Sequence, residues 1–382
     1  MRGKQRILGL VVALLALQLG SLISPAYACG CGAMIPDRAS RIGVQRETSV
    51  VHWDARSRTE QIVMRFSVRG TAREAAWIMP VPGRADVELG DPYLFEELRE
   101  LTAPEHRTRH YFWPRSGDWP FGGGGDSAAA PAPGAAPDAA APPVGVVGRE
   151  RLGDFDVARL TATDPDALRD WLDDNGFELP ERLSGELRPY VEQKWEYVAV
   201  RLAPEERGAA LYGTLDPLRI TFTSERPVYP MRLSRLATTP QSLGLYVLSE
   251  HRMEPRGTIG GDAPEVTYAG EIAAEGAVGE LTGRGSGEGN GGGGREGDGD
   301  RGARLFLTAV EQEFPEPGRI DGDHELRAAN ADTPYRQVVF HDRLLTIGGE
   351  VPVWLVTAVG VPAVASALLW GLRRRRAVRS AA

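Results

Sequence analysis

The sequence predicts an α+β fold, mainly antiparallel sheet with a few helices, followed by one C-terminal transmembrane helix. Three observations carry this expectation. Apolar runs of period two come in clusters without regular strand–helix–strand alternation, which disfavours a doubly wound parallel sheet. Helical segments are few and marked by caps. A charge-free apolar run, 351–372, lies near the end of the chain and leads directly into four arginines.

The first 28 residues read as a secretory signal. Arg2, Lys4 and Arg6 precede an apolar run, 7–23, and Ala26-Tyr27-Ala28 places small residues at the two positions a signal peptidase inspects. Cleavage after Ala28 makes Cys29 the first mature residue. The first ordered block, 29–121, then contains a clear strand, in which Ile62, Met64, Phe66 and Val68 fall on one face. Ala75 to Met79 reads as its neighbour, ended by Pro80 and Pro82. A helix follows, with Asp91 as N-cap, Pro92 at N1, and Leu94, Phe95, Leu98 and Leu101 on one side.

Residues 122–147 are nearly all Gly, Ala and Pro, a composition too poor in apolar surface to offset ordering entropy, and they read as a disordered linker. In the second block, 148–282, Asp164-Pro165 opens a helix carrying Leu168, Trp171 and Leu172, stopped by Asn175-Gly176. A short helix is expected from Pro189 to Lys194, then strands over 195–202, 218–223, 228–233 and 243–249. A second linker, 283–302, has glycine at eleven of its twenty positions. Its Gly287-to-Gly292 match to G-x-G-x-x-G follows no strand and opens no helix, so it is linker composition. The third block, 303–346, offers a strand over 305–310.

The run 351–372 spans about 33 Å as a helix, enough for a bilayer core. Trp354 and Trp370 mark its two interfaces, and Arg373, Arg374, Arg375 and Arg376 hold the tail 373–382 in the cytoplasm. Signal plus stop-transfer segment gives a single-pass type I protein of the cell membrane, with the bulk of the chain outside and lipid as its first partner. Between Cys29 and Thr346 the chain carries 36 basic against 51 acidic residues, once three basic residues before that stretch and five basic and one acidic after it are set aside. That balance argues against nucleic acid as a partner.

The segments Ala75-Ala76-Trp77-Ile78-Met79-Pro80-Val81-Pro82, Trp171-Leu172 with Gly176-Phe177, and Pro189-Tyr190-Val191 with Trp195 form one set. With them goes Pro227-Val228-Tyr229-Pro230-Met231-Arg232-Leu233. Together they resemble one bacterial family, the exported proteins grouped as domain of unknown function 2330. The resemblance covers about residues 29 to 253, less the first linker. It implies a signal peptide, cysteines just after it and a C-terminal anchor. It supplies no catalytic residues.

Few residues carry chemistry. Cys29 and Cys31, the two cysteines of the chain, admit three readings: a tight disulfide, lipidation of Cys29, or a thiol-redox or metal pair. Asp321, Asp323 and Glu325 gather carboxylates of the kind calcium prefers, without completing an EF-hand. His106 and His110 have i, i+4 spacing, but Arg107 and Arg109 between them oppose a cation, and a solvated loop is the plainer reading. Trp113 and Trp119 lie in a proline-broken aromatic segment that offers a contact surface. No G-x-S-x-G, P-loop or zinc quartet appears, and no cofactor is expected. The preferred reading is an envelope interaction or structural module with an envelope protein partner. The alternative is an exported redox or metal-handling protein using Cys29 and Cys31.

Overall fold

The computed structural model describes residues 28–29, 32–37, 40, 42–115, 118, 150–152, 155–160, 165–179, 181–202, 211–284 and 305–380. The signal segment to residue 27, the first linker, and the second linker beyond Arg284 lie outside them. The chain divides into two compact units, residues 1–103 with 137–336, and residues 104–136 with 337–382.

The first unit is a four-layer body. Its larger sheet orders the strands Tyr335–Arg336, Glu265–Ile272, Leu305–Phe314, Gln241–Ser249, Ile42–Asp54, Thr59–Gly70, Leu218–Thr223 and Ala85–Leu89. Neighbours are antiparallel except Gln241–Ser249 on Ile42–Asp54, which run parallel. A second, wholly antiparallel sheet orders Ala28–Cys29, Gly32–Pro36, Ala75–Val81, Glu196–Leu202, Phe155–Leu160 and Glu150–Leu152.

Side-chain parity explains the layers. Ile62, Met64, Phe66 and Val68 point inward and meet Trp77, Met79, Val198 and Val200 from the second sheet in one core. Phe66 and Trp77 meet edge to face, 5.2 Å between centroids. The alternate residues face outward and are also covered. Val50, Val63 and Leu307 pack under helices α1 (Tyr93–Leu101) and α4 (Gly276–Thr282). Ala76, Ile78 and Ala199 pack under α2 (Pro165–Asp174) and α3 (Glu181–Glu192). Strand Ala75–Val81 is therefore buried at every position, which is why it reads as an unbroken apolar run. Burying each of its larger side chains contributes about 1.5–3 kcal/mol.

A small antiparallel sheet, Val228–Tyr229, His324–Ala328 and Met253–Pro255, adds Tyr229, Met253 and Leu326 to the central core.

Several sequence expectations hold. α2 ends as expected, Gly176 at φ +81° and the Phe177 N–H on Leu172 O at 2.8 Å. The α1 helix starts at Tyr93, one residue later than expected, with Pro92 and not Asp91 at the N-cap, and Asp91 Oδ1 still accepts the Tyr93 N–H at 2.8 Å. Three expectations are corrected. Ala75–Val81 does not pair with Thr59–Gly70; it faces that strand across the core from the other sheet. Pro189 does not open a helix but lies inside α3, where its carbonyl neighbour four residues back belongs to Gly185. The strand expected over 228–233 stops at Tyr229, and Arg232–Leu236 forms a 3₁₀ turn, because Pro230 cannot extend the ladder.

The second unit is a parallel two-stranded ribbon, Glu105–Tyr111 with Val338–Leu344. The short pair Thr346–Ile347 and Val351–Pro352 follows, then helix α5 (Val353–Ser380). The apolar segment thus begins as strand, and the helix takes over at Val353. Among the described residues, Val353–Arg373 is the one helix long and apolar enough to cross a membrane. Trp354 and Trp370 lie within it.

Candidate functional site

A groove of about 970 Å³ opens on the body. Loops from both sheets build it. Arg58 comes from the turn after Ile42–Asp54, Pro82 and Gly83 from the end of Ala75–Val81, and Trp195 from the segment after α3. Val228 and Glu325 come from two strands of the small sheet, with Arg226 just before the first of them and Arg256 just after Met253–Pro255.

Arg58, Arg226, Arg232 and Arg256 bring four guanidinium groups to this wall, against the carboxylates of Glu225, Asp323 and Glu325. Arg58 pairs with Glu225 at 3.0 Å, and Arg226 with Glu325 at 2.7 Å. Arg256 reaches Glu325 only at 3.9 Å. Arg232 Nε is buried and has no hydrogen-bond partner among the described residues. Among the described residues the lining therefore holds four arginines against three carboxylates, and Arg232 and Arg256 retain unused donor capacity there.

Asp323 anchors the floor. Its Oδ1 accepts the Tyr190 hydroxyl at 2.6 Å, the Met231 N–H at 2.8 Å and the Arg232 N–H at 2.9 Å. This carboxylate caps the 3₁₀ turn and sets where Arg232 begins. Burial, and then the Asp323 charge beside it, push the Tyr190 phenol well above its usual range, so it stays a donor.

Behind the groove lies a buried polar set inside the core. Glu60 is fully buried, and its carboxyl accepts the Val228 N–H at 3.0 Å. Desolvation holds its pKa well above the ordinary glutamate range, opposed by that hydrogen bond. Tyr229 Oη shares hydrogen bonds with Ser49 Oγ, at 2.7 Å, and with Glu47. His324, next to Asp323, is lowered to about 4 by burial, so it is neutral at physiological pH. His52 is also lowered to about 4, by burial first and Arg284 second, with Asp54 opposing.

Of the sequence-predicted carboxylates, Asp323 and Glu325 both line the groove but are engaged by different partners. Asp323 turns to Tyr190 and the backbone, Glu325 pairs with Arg226, and Asp321 is exposed, its N–H on Ile259 O. Among the described residues no three His, Cys, Asp or Glu side chains converge as a metal site. Cys29 lies in strand Ala28–Cys29, opposite Gly32, while Cys31 lies outside the described residues. Trp113 is largely exposed, its ring 5.1 Å from that of Phe112, and Trp119 lies outside the described residues. His106 and His110 lie on a strand of the ribbon rather than in a loop. The arginines of the groove were missed because they come from separate loops; Arg226 and Arg232 bracket the Pro-Val-Tyr-Pro segment, the one local signal.

Fold and site together define a two-sheet, four-layer α+β body with an arginine-lined groove, joined in sequence to one apolar helix. The chain belongs to the family described as "Uncharacterized protein conserved in bacteria (DUF2330)", which matches residues 25–327. A search of curated proteins found no match. Among solved structures, the crystal structure of baculovirus P35 is similar at 10% identity, covering 78% of this chain and 97% of that one. Its TM-score of 0.29 is too low to carry an argument.

Proposed function

We propose that the chain is an exported, membrane-anchored module that binds an acidic group of an envelope partner in the arginine-lined groove. The observation that carries this reading is the convergence of Arg58, Arg226, Arg232 and Arg256 on one depression of an otherwise acidic chain. Carboxylate and phosphate groups match guanidinium donors in shape and charge. The overall negative charge repels anions at long range, so recognition rests on short charge-assisted hydrogen bonds made after contact. The helix Val353–Arg373 serves as anchor.

The test is a photo-crosslinking residue at Thr258, within the groove, in native membranes of the producing cell. One reproducible adduct is expected, lost when Arg232 and Arg256 are both changed to Ala. A chain recovered without adducts, or an adduct that survives the double change, sinks the reading.

A further inference from the structure

Two histidines distant in sequence meet on the ribbon of the second unit. His106 Nδ1 and His341 Nε2 are 2.8 Å apart, with ring centroids 4.9 Å apart and planes at 27°. Both side chains are exposed. In the parallel register Val339 lies beside His106, His341 beside Thr108 and Arg343 beside His110. Side chains in register share a face, so His106, Thr108, His110, Val339, His341 and Arg343 line one side of the ribbon. Arg109, Asp342 and Phe340 occupy the other, where Arg109 pairs with Asp342 at 2.8 Å.

We propose that His106 and His341 form a two-imidazole site for a borderline divalent transition-metal ion, Zn²⁺ or Cu²⁺, that clips the two strands together. A hydrogen bond between two imidazoles places one ring's lone pair toward the other ring's nitrogen, which is the convergence a metal requires. Zinc–imidazole bonds are about 2.0–2.1 Å, so two nitrogens in a tetrahedral shell stand roughly 3.3 Å apart. The observed separation must open by only about half an ångström, within reach of exposed rings turning about their side-chain bonds. Imidazole nitrogen favours Cu²⁺ and Zn²⁺ over Mg²⁺ and Ca²⁺. Binding replaces the shared hydrogen on the coordinating nitrogen, and each imidazole stays neutral by carrying its one N–H on its other ring nitrogen. Water completes the coordination. His110 stands diagonally on the far side of His341, but Arg343 beside it keeps that end of the face cationic.

The site has a physical purpose. A two-stranded ribbon of mostly exposed residues is marginal by itself. An ion bound only when the strands are paired stabilises the pairing by mass action. It would tie the strand that leads into the first linker to the strand that leads into helix α5.

The experiment uses the full chain in detergent, in a background with Cys29 and Cys31 both changed to Ser so that thiols cannot supply the ligands. Zn²⁺ binding is measured by calorimetry, and Cu²⁺ ligation by electron paramagnetic resonance. The expected result is one ion per chain with nitrogen hyperfine structure, weakened about tenfold or more by either His106→Gln or His341→Gln. His110→Gln should leave the affinity unchanged, and circular dichroism should show all variants folded. Zn²⁺ affinity unchanged from the parent in either the His106 or the His341 variant would overturn the proposal, as would a site lost with His110 or present only when the cysteines are intact.

Discussion

Replacing Asp323 by Ala tests whether one carboxylate holds the groove in place. The change removes the acceptor of three hydrogen bonds, from Tyr190 Oη, Met231 N and Arg232 N. Tyr190 is fully buried, so its hydroxyl is left without an acceptor, at a cost of about 1–3 kcal/mol. Losing the cap of the Arg232–Leu236 turn costs about 0.5–2 kcal/mol more. One oxygen serves all three donors, so these costs overlap and the total is about 2–4 kcal/mol. Asp323→Asn keeps an acceptor at the same place and loses only the charge assistance, about 1 kcal/mol. In urea melts of the detergent-solubilised chain, followed by tryptophan fluorescence, the Ala variant should fall below the Asn variant. With a slope of about 2 kcal/mol per molar, the gap is roughly 1 M in midpoint. Equal midpoints for the two variants would show that the hydrogen bonds do not hold the floor.

Glu60→Gln should raise stability at pH 7 and lose that advantage near pH 4. The folded carboxyl holds its proton after the unfolded chain has released it, so stability falls as pH rises above the ordinary glutamate range; melts at the two pH values read the gap. His324 works in the opposite sense. Its folded pKa, about 4 against 6.5, means the unfolded chain binds the extra proton as pH drops, so stability declines between about pH 6.5 and 4 by about 3 kcal/mol. His324→Gln should flatten that acid slope, and an unchanged slope would exclude His324 as its source. Gly32→Ala should cost about 1–3 kcal/mol, because the new Cβ meets Ile78 O and Trp77 Nε1, each at 2.5 Å. Gly43→Ala, whose Cβ meets nothing within 4 Å among the described residues, is the near-neutral control in the same thermal melt.

The places where the sequence misled are physical. Strand Ile42–Asp54 escaped a period-two reading because a bulge between Val44 and Glu47 shifts its parity. Ile42 and Val44 point inward before the bulge, Val51 and Trp53 after it, and the inward positions 47 and 49 carry Glu and Ser. Those two polar residues make sense only beside Tyr229, distant in sequence. Thr59–Gly70 was legible because its outward face is mixed, whereas Ala75–Val81, covered on both faces, gave no clue to which sheet it joined. The ribbon strand Glu105–Tyr111 lacks apolar alternation altogether, so nothing local marks it. The helices α1 and α2 were readable from Asp91 and Gly176, whose conformational roles are local. The groove was not, since it exists only where six separate segments of the chain meet.

Residues 46 and 242 pair in the large sheet, and residues 306 and 249 pair one strand further out. The first, second and third blocks of the sequence therefore interleave within a single sheet, and neither linker separates two foldable halves. A chain cut within 122–147 or 283–302 should yield fragments that are insoluble when expressed alone. Their central strands, Ile42–Asp54 or Gln241–Ser249, would each show an open hydrogen-bonding edge. Co-expressed, the same fragments should complement each other and restore the body. During synthesis the same constraint delays closure until the strand Leu305–Phe314 has emerged, which makes the body a slow folder that depends on protection until then.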